Sequence, residues 1–267
     1  MKVGIVGVGA IGGMVAHKLD EGMIEGVYLQ ALSSRNLNKL EEFSKGLTNP
    51  VRLGPISDWV DECDLIIEAA GADSVENIAR IAFKNNVPIM ILSVGALIVS
   101  SHLIDLARQT GNKIHVPSGA IAGLDGIKAA SESKISSVLV INRKPPESLK
   151  GAPGVDLSGV DLDSLSEPCT LYSGSVADGY PLFPANVNVA AAVSLAGIGP
   201  EITMMEVIAD PNLSVNTHEV IVESEIGKMR MYIEGFASPD NPKTSSSTAF
   251  SVLAYLKKMT SNFIIGT

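Results

Sequence analysis

Short apolar runs alternate with segments of helical period along the first part of the chain. Lys2-Val3-Gly4-Ile5-Val6 is apolar and runs into glycine, the pattern of a buried parallel strand. From Ala10 to about Leu19, the residues Ile11, Met14, Val15, Ala16 and Leu19 recur at the spacing of one helix face. The same reading predicts strands over 27–32, 64–70, 88–93 and 113–116, and helices over 37–45, 75–85 and 101–110. Strands and helices alternating at this spacing predict an α/β fold, a doubly wound parallel sheet over residues 1–117.

The pattern changes after Pro117. Residues 136–142 alternate, and 143–159 form an excursion rich in Pro, Gly and Ser. Strands of an antiparallel sheet are expected over 169–174, 201–209, 218–224 and 228–235, with helices over 188–196 and 248–259. Residues 118–240 are therefore expected to form a second, α+β domain that acts on the substrate. No internal repeat or long low-complexity segment is present.

Composition narrows the class. Hydrophobic residues make up 46% of the 267 positions and aromatics only 4%, which suits parallel strands under closely packed helices. Twenty basic residues against 29 acidic ones leave a net charge of −9, with no long basic run. Binding to a nucleic-acid backbone is excluded as the main activity. The apolar stretch 87–99 is too short, and too interrupted by Pro88, Ser93 and Gly95, to span a bilayer. The N-terminus leads straight into a strand, with no basic region before an apolar core and cleavage site. Cys63 and Cys169 belong to no CxxC pair. Reduced thiols in a soluble, cytoplasmic protein without membrane contact are the expectation.

The first strand runs into Gly7-Val8-Gly9-Ala10-Ile11-Gly12. Gly7 allows the tight turn, Gly9 the approach of a pyrophosphate to the backbone, and Gly12 close packing of helix on strand. Ala10 and Ile11 open the helix whose free N–H groups receive the anion. A lone GxGxxG is weak evidence, but this one follows a strand, precedes a helix and begins a βαβ series. It predicts a nicotinamide dinucleotide. The second strand normally ends in a carboxylate for the adenosine 2′-hydroxyl, and Leu32-Ser33-Ser34-Arg35 stands there instead. Ser34 and Arg35 suit a 2′-phosphate, although Arg35 could equally be a solvated loop residue. The cofactor is thus NAD or NADP.

Of the four histidines, His17 and His102 fall on helices as surface or packing residues, and His115 falls in a strand. His218, where a loop enters a strand of the second domain, is the candidate general base, set against a structural role. Residues 117–126 gather small side chains that either admit the nicotinamide or form a hinge. Asn186 and Asn188 stand at a helix start, as caps or as partners of the cofactor carboxamide. Lys243 and Thr244 are expected to open the last helix, where a substrate carboxylate could be received. No metal-ligand pattern occurs.

Five segments together resemble the L-aspartate dehydrogenase family of archaea and bacteria: Gly7 to Gly12, Ser118-Gly119-Ala120-Ile121-Ala122-Gly123-Leu124-Asp125, Phe183-Pro184-Ala185-Asn186-Val187-Asn188-Val189-Ala190-Ala191, Thr217-His218-Glu219, and Asn241-Pro242-Lys243-Thr244-Ser245. They occur in the family's order over nearly the whole chain. Two departures stand out: the missing acidic residue after the second strand, and Ala122 where the family often has glycine. The resemblance implies a Rossmann domain, a catalytic domain inserted before a final helix in 241–267 that returns to the first domain, and a homodimer. It implies reversible oxidation of L-aspartate to iminoaspartate, which gives oxaloacetate and ammonia or feeds NAD biosynthesis. By position, Ala120 and Asn188 would contact the cofactor and His218 would be catalytic.

Two rival readings remain on sequence alone. One is another two-domain reductase, related to homoserine dehydrogenase or dihydrodipicolinate reductase, whose own second-domain motifs are not found here. The other is a non-catalytic NAD(P) sensor.

Overall fold

The computed structural model describes residues 1–238 and 241–267, and the side chains of all but 237–246. The chain divides into two compact units. The first comprises 1–119 and 248–265, and the second 120–247 with 266–267.

In the first unit, β1 (Lys2–Val6), α1 (Ala10–Asp20), β2 (Tyr28–Ser33), α2 (Leu37–Ser44) and β3 (Arg52–Leu53) precede β4 (Leu65–Glu68), α3 (Ala72–Lys84) and β5 (Ile89–Ile91). The short α4 (Ala96–Val99), then α5 (His102–Thr110) and β6 (Ile114–His115), complete the series. The six strands are parallel, in the order β3-β2-β1-β4-β5-β6. The order reverses between β1 and β4, so the carboxyl ends of these strands open the crevice where such sheets bind ligands. The edge strand β3 is the one strand of this sheet that the hydrophobic pattern did not predict. Its two residues are exposed and leave no periodic signal.

Each face of the sheet has its own core. Val3, Ile5, Leu65, Ile67 and Met90 pack on one face, and Ile66, Ile89 and Ile91 on the other. Both faces are covered, so these strands read as continuous apolar runs. Trp59 is fully buried beneath Gly4, where any Cβ would overlap its ring. Its indole N–H donates to the Gly54 carbonyl over 3.1 Å.

In the second unit, α6 (Leu124–Ser131), β7 (Ile135–Lys144), α7 (Pro153–Ser158), β8 (Cys169–Ser175), α8 (Val176–Gly179) and α9 (Asn188–Ala196) come first. Next are β9 (Met204–Ala209), β10 (Asn216–Ser224), β11 (Gly227–Gly235), β12 (Ala237–Ser238) and β13 (Asn241–Ser245). The main sheet has the order β11-β10-β7-β9-β8. It is mixed rather than wholly antiparallel, because β7 and β9 pair in parallel. A parallel pair needs a long crossover, and here it begins after Lys144, in the segment 145–159.

The final helix, α10 (Ser246–Thr260), belongs to the first unit for nearly its whole length. Its Ala249, Val252, Leu253 and Leu256 enter the core formed by Val3 and Ile5. Ser251 accepts from the Gly119 N–H over 3.0 Å, and the Tyr255 hydroxyl lies 3.1 Å from Nδ1 of His115. Asn241–Ser245 does not open this helix as the sequence reading expected. It precedes the helix as a strand paired with Ala237–Ser238, which suits Pro242, a residue tolerated at sheet edges.

Candidate active site

The crevice at the end of β1 is made largely by backbone. Gly7 adopts φ +106°, and a Cβ there would overlap the Ala69 carbonyl. A Cβ on Gly12 would overlap the Gly7 carbonyl, so α1 can approach its strand only with glycine at this position. Gly9 is different: nothing lies within 4 Å of where its Cβ would be. It caps α1 without a side-chain bond, leaving the first-turn N–H groups of Ala10, Ile11 and Gly12 unclaimed by any helical carbonyl. Unclaimed donors with the positive end of a helix dipole, beside space that a side chain would have filled, fit a pyrophosphate.

Gly7 and Gly9 line a cavity of about 710 Å³ together with Ser34, Arg35 and Lys39. The Asn36 side chain caps α2 by accepting from the Lys39 N–H over 3.0 Å. That bond fixes the helix carrying Lys39. Neither Arg35 nor Lys39 forms an ion pair among the described residues. Lys39, one turn beyond Arg35, is a cavity residue that the motif-based reading missed.

Glu68 was also missed, read only as part of a buried strand. Its carboxylate is fully buried. Oε1 accepts from the N–H groups of Ala70 and Gly71 at 2.8 and 2.9 Å and from Oγ of Ser93 at 3.0 Å, while Oε2 accepts from the Ser93 N–H at 3.0 Å. Four bonds to one buried carboxylate tie the ends of β4 and β5 together and hold Ala69 and Ala70 against the cavity. An acidic residue closing an apolar strand is the signal that could have found it.

In the second unit the core-facing side of the sheet changes character along its length. Val138 and Val140 on β7 lie on the same side as Val220 and Val222 on β10, all essentially inaccessible. Two residues further along each strand, the same side carries Asn142, Lys144 and His218. His218 is the third residue of β10, inside the sheet rather than at an exposed loop entry. It pairs in register with Asn142 and is 5% exposed.

Nδ1 of His218 lies 2.7 Å from Oδ1 of Asn142. An amide oxygen can only accept, so Nδ1 carries the proton and Nε2 keeps its lone pair. Burial, and then the neighbouring Lys144 charge, push the imidazole pKa down to about 3. The ring is therefore neutral at physiological pH. Lys144 is itself only 4% exposed, and burial alone pushes its amine down to about 8. Asn142 Nδ2 and Asn216 Oδ1 are buried without hydrogen-bond partners among the described residues. Sequence reasoning singled out His218 and missed Asn142 and Lys144. The signal was a polar pair continuing the buried register of Val138 and Val140.

The remaining candidates lie on other elements. Ala120 is half-buried in the turn before α6, and Asn188 is the exposed first residue of α9. Gly123 adopts φ +83° against Met231 of β11, which explains glycine in that small-residue segment. Lys243 and Thr244 fall on β13, and their side chains lie outside the described residues. Among the described residues no group of three or more His, Cys, Asp or Glu could hold a metal, and no helix is long and apolar enough to cross a membrane.

Two family models cover the chain: "Homoserine dehydrogenase, NAD binding domain" matches 7–117, and "Aspartate dehydrogenase, C-terminal" matches 125–259. The chain is 42% identical to the L-aspartate dehydrogenase of Methanosarcina barkeri, with both chains covered in full. It is 39% identical to that of Bradyrhizobium diazoefficiens, over all of this chain and 94% of the relative. The crystal structure of aspartate dehydrogenase from Thermotoga maritima superimposes with a TM-score of 0.76 at 27% identity, covering 100% of this chain and 99% of that one. A homoserine dehydrogenase from Thiobacillus denitrificans, at 15% identity and a TM-score of 0.61, shares the fold. With full-length relatives of this identity and a second unit matched by the aspartate dehydrogenase model, the chain belongs to the L-aspartate dehydrogenase family.

Proposed function

We propose that this protein catalyses the NAD(P)-dependent oxidative deamination of L-aspartate, with His218 as its base. The observation that carries the reading is the buried, neutral His218, with its proton held on Nδ1 by Asn142. Nε2 is left as the basic atom. It takes a proton from the substrate amine or from the water that attacks the imine, on the way to oxaloacetate and ammonia. The cofactor, when bound, supplies the hydride acceptor. Gly7, Gly9 and the first turn of α1 at Ala10, Ile11 and Gly12 would hold its pyrophosphate. Ala120 and Asn188 are assigned to the cofactor, and Lys243 and Thr244 to a substrate carboxylate, by the family motifs they occupy.

Arg35 and Lys39, with Ser34, line the cavity after β2, where no carboxylate closes the strand, and Asp73 at the start of α3 is the acidic residue in that lining. The two cations support use of NADP as well as NAD. We further infer a cytoplasmic homodimer that supplies iminoaspartate to NAD biosynthesis. Half-buried Leu139, Ile141 and Ile221, with exposed Tyr232, lie on the side of the second sheet opposite His218, which supports self-association.

The test follows NADH and NADPH oxidation with oxaloacetate plus ammonia, beside a panel of other 2-oxo acids. Turnover with oxaloacetate above the rest is expected. Clear turnover with another acid and none with oxaloacetate would overturn the substrate. Cofactor binding without any turnover would favour the sensor.

A further inference from the structure

Lys144 has no role in the function described above, and its surroundings do not explain it as a structural residue. Its side chain is buried at the end of β7, and that burial pushes its amine down to about 8. No carboxylate offsets it: Nζ forms no ion pair or hydrogen bond among the described residues. Asp210, the nearest acidic residue along the neighbouring strand, accepts instead from the Asn212 N–H over 3.0 Å. Buried ammonium groups are normally paired, because removing an unpaired charge from water is costly.

Its neighbours show the same deficit. Asn142, two residues back on the same side of β7, is completely buried, and its Nδ2 has no acceptor among the described residues. Asn142 Oδ1 already holds His218. A cation and an N–H donor therefore neighbour the candidate base, and among the described residues neither has a partner of negative charge. Buried Val138, Val140, Val220 and Val222 continue the same side of the sheet, so these strands offer no anion in that direction. The amine, at about 8, is still mostly charged at pH 7.

We propose that Lys144 Nζ, assisted by Asn142 Nδ2, receives a carboxylate of the dicarboxylate substrate beside His218. The inference rests on the aspartate reading above. It makes Lys144 a substrate-binding residue, and it explains a charge that the fold alone would not retain. A ligand carboxylate satisfies both orphaned groups at once, in a setting of low dielectric where such bonds are strong.

The experiment measures steady-state kinetics of the full-length wild type, Lys144→Met and Lys144→Gln, with thermal melting and NADH binding alongside. Met is close in shape and removes the charge, so Tm should hold or rise. NADH affinity should not change. The KM for L-aspartate should rise by about a hundredfold, the scale for truncating one partner of a buried charge pair. L-Asparagine, the neutral isostere, then identifies the carboxylate as a competitive inhibitor. Loss of the preference for aspartate over asparagine assigns Lys144 to the side-chain carboxylate. A retained preference with the raised KM assigns it to the α-carboxylate. A KM within threefold of wild type in either variant overturns the proposal, whatever happens to Tm. A wild type that fails to oxidise aspartate overturns the functional reading instead.

Discussion

The crevice at the end of β1 and the polar corner formed by β7 and β10 are built on opposite principles. The crevice uses what side chains leave out. Gly7 and Gly12 are required because a Cβ would strike backbone, and Gly9 faces open space. The corner depends on what side chains add: an imidazole, an amide and an ammonium at nine-tenths burial or more. Backbone sites bind any ligand with the right phosphate, whereas side-chain sites in low dielectric choose a reaction. Substitution should therefore separate the two regions cleanly, one losing cofactor and the other losing chemistry.

The largest effect should come from His218→Ala. General-base catalysis contributes about 10²–10⁴-fold, so kcat should fall by about a thousandfold. NADH affinity, followed by fluorescence titration, should stay within twofold of wild type. Retained turnover would remove His218 from the mechanism, and a parallel loss of cofactor binding would break the separation of the two regions. Gly12→Val reverses the pattern. Its side chain would meet the Gly7 carbonyl, so α1 must move away from β1 and carry its N-terminal donors with it. Cofactor affinity should drop by about a hundredfold, the scale of losing two charge-assisted bonds, and saturating cofactor should restore part of kcat.

How much could be read in advance follows the same division. The glycine spacing, the strand before it and the helix after it are local, so residues 1–117 were legible as a doubly wound unit. Only the exposed β3, the one-turn α4 and short turns escaped. His218 stood out because the pattern around it reads as a loop entering a strand of the second domain. Its partner is 76 positions away in sequence, and Asn142 and Lys144 matter only because β7 lies beside β10 with that register. The parallel pairing of β7 with β9 was illegible for the same reason: alternation predicts a strand and its faces but not its neighbour. Glu68 read as one more residue of a buried strand, and its four donors come from Ala70, Gly71 and Ser93, which only the fold brings around it.

The environment of His218 also sets a pH response that an exposed histidine would not show. Its folded pKa, about 3, lies below the ordinary value near 6.5. Between these values the unfolded chain binds a proton that the folded chain excludes. The stability due to this group is therefore complete above pH 6.5 and is lost as pH falls toward 3. The base itself stays unprotonated through that window. The acid limb of kcat/KM should lie well below pH 6, and urea midpoints should fall over the same range before it is reached. An acid limb at 6.5 would mean that His218 titrates as an exposed ring, and that the buried corner does not govern the base.

Arg35→Ala should give the smallest effect and tests whether the crevice has any side-chain selectivity of its own. Arg35 lines the cavity with Lys39 and lies at its edge, where water and salt screen both charges. Losing one of two such cations from a phosphate subsite should raise the KM for NADP by about tenfold, a cost near 1.4 kcal/mol. The KM for NAD, which lacks the 2′-phosphate, should stay within twofold. Raising the ionic strength should shrink the NADP penalty, because screening weakens the contact in the parent enzyme but leaves the alanine variant little to lose. Arg35→Glu should exceed the alanine effect for NADP, since repulsion is added to the lost attraction. Equal losses for both cofactors would show that Arg35 supports the shape of the turn after β2, and that the crevice reads only the pyrophosphate.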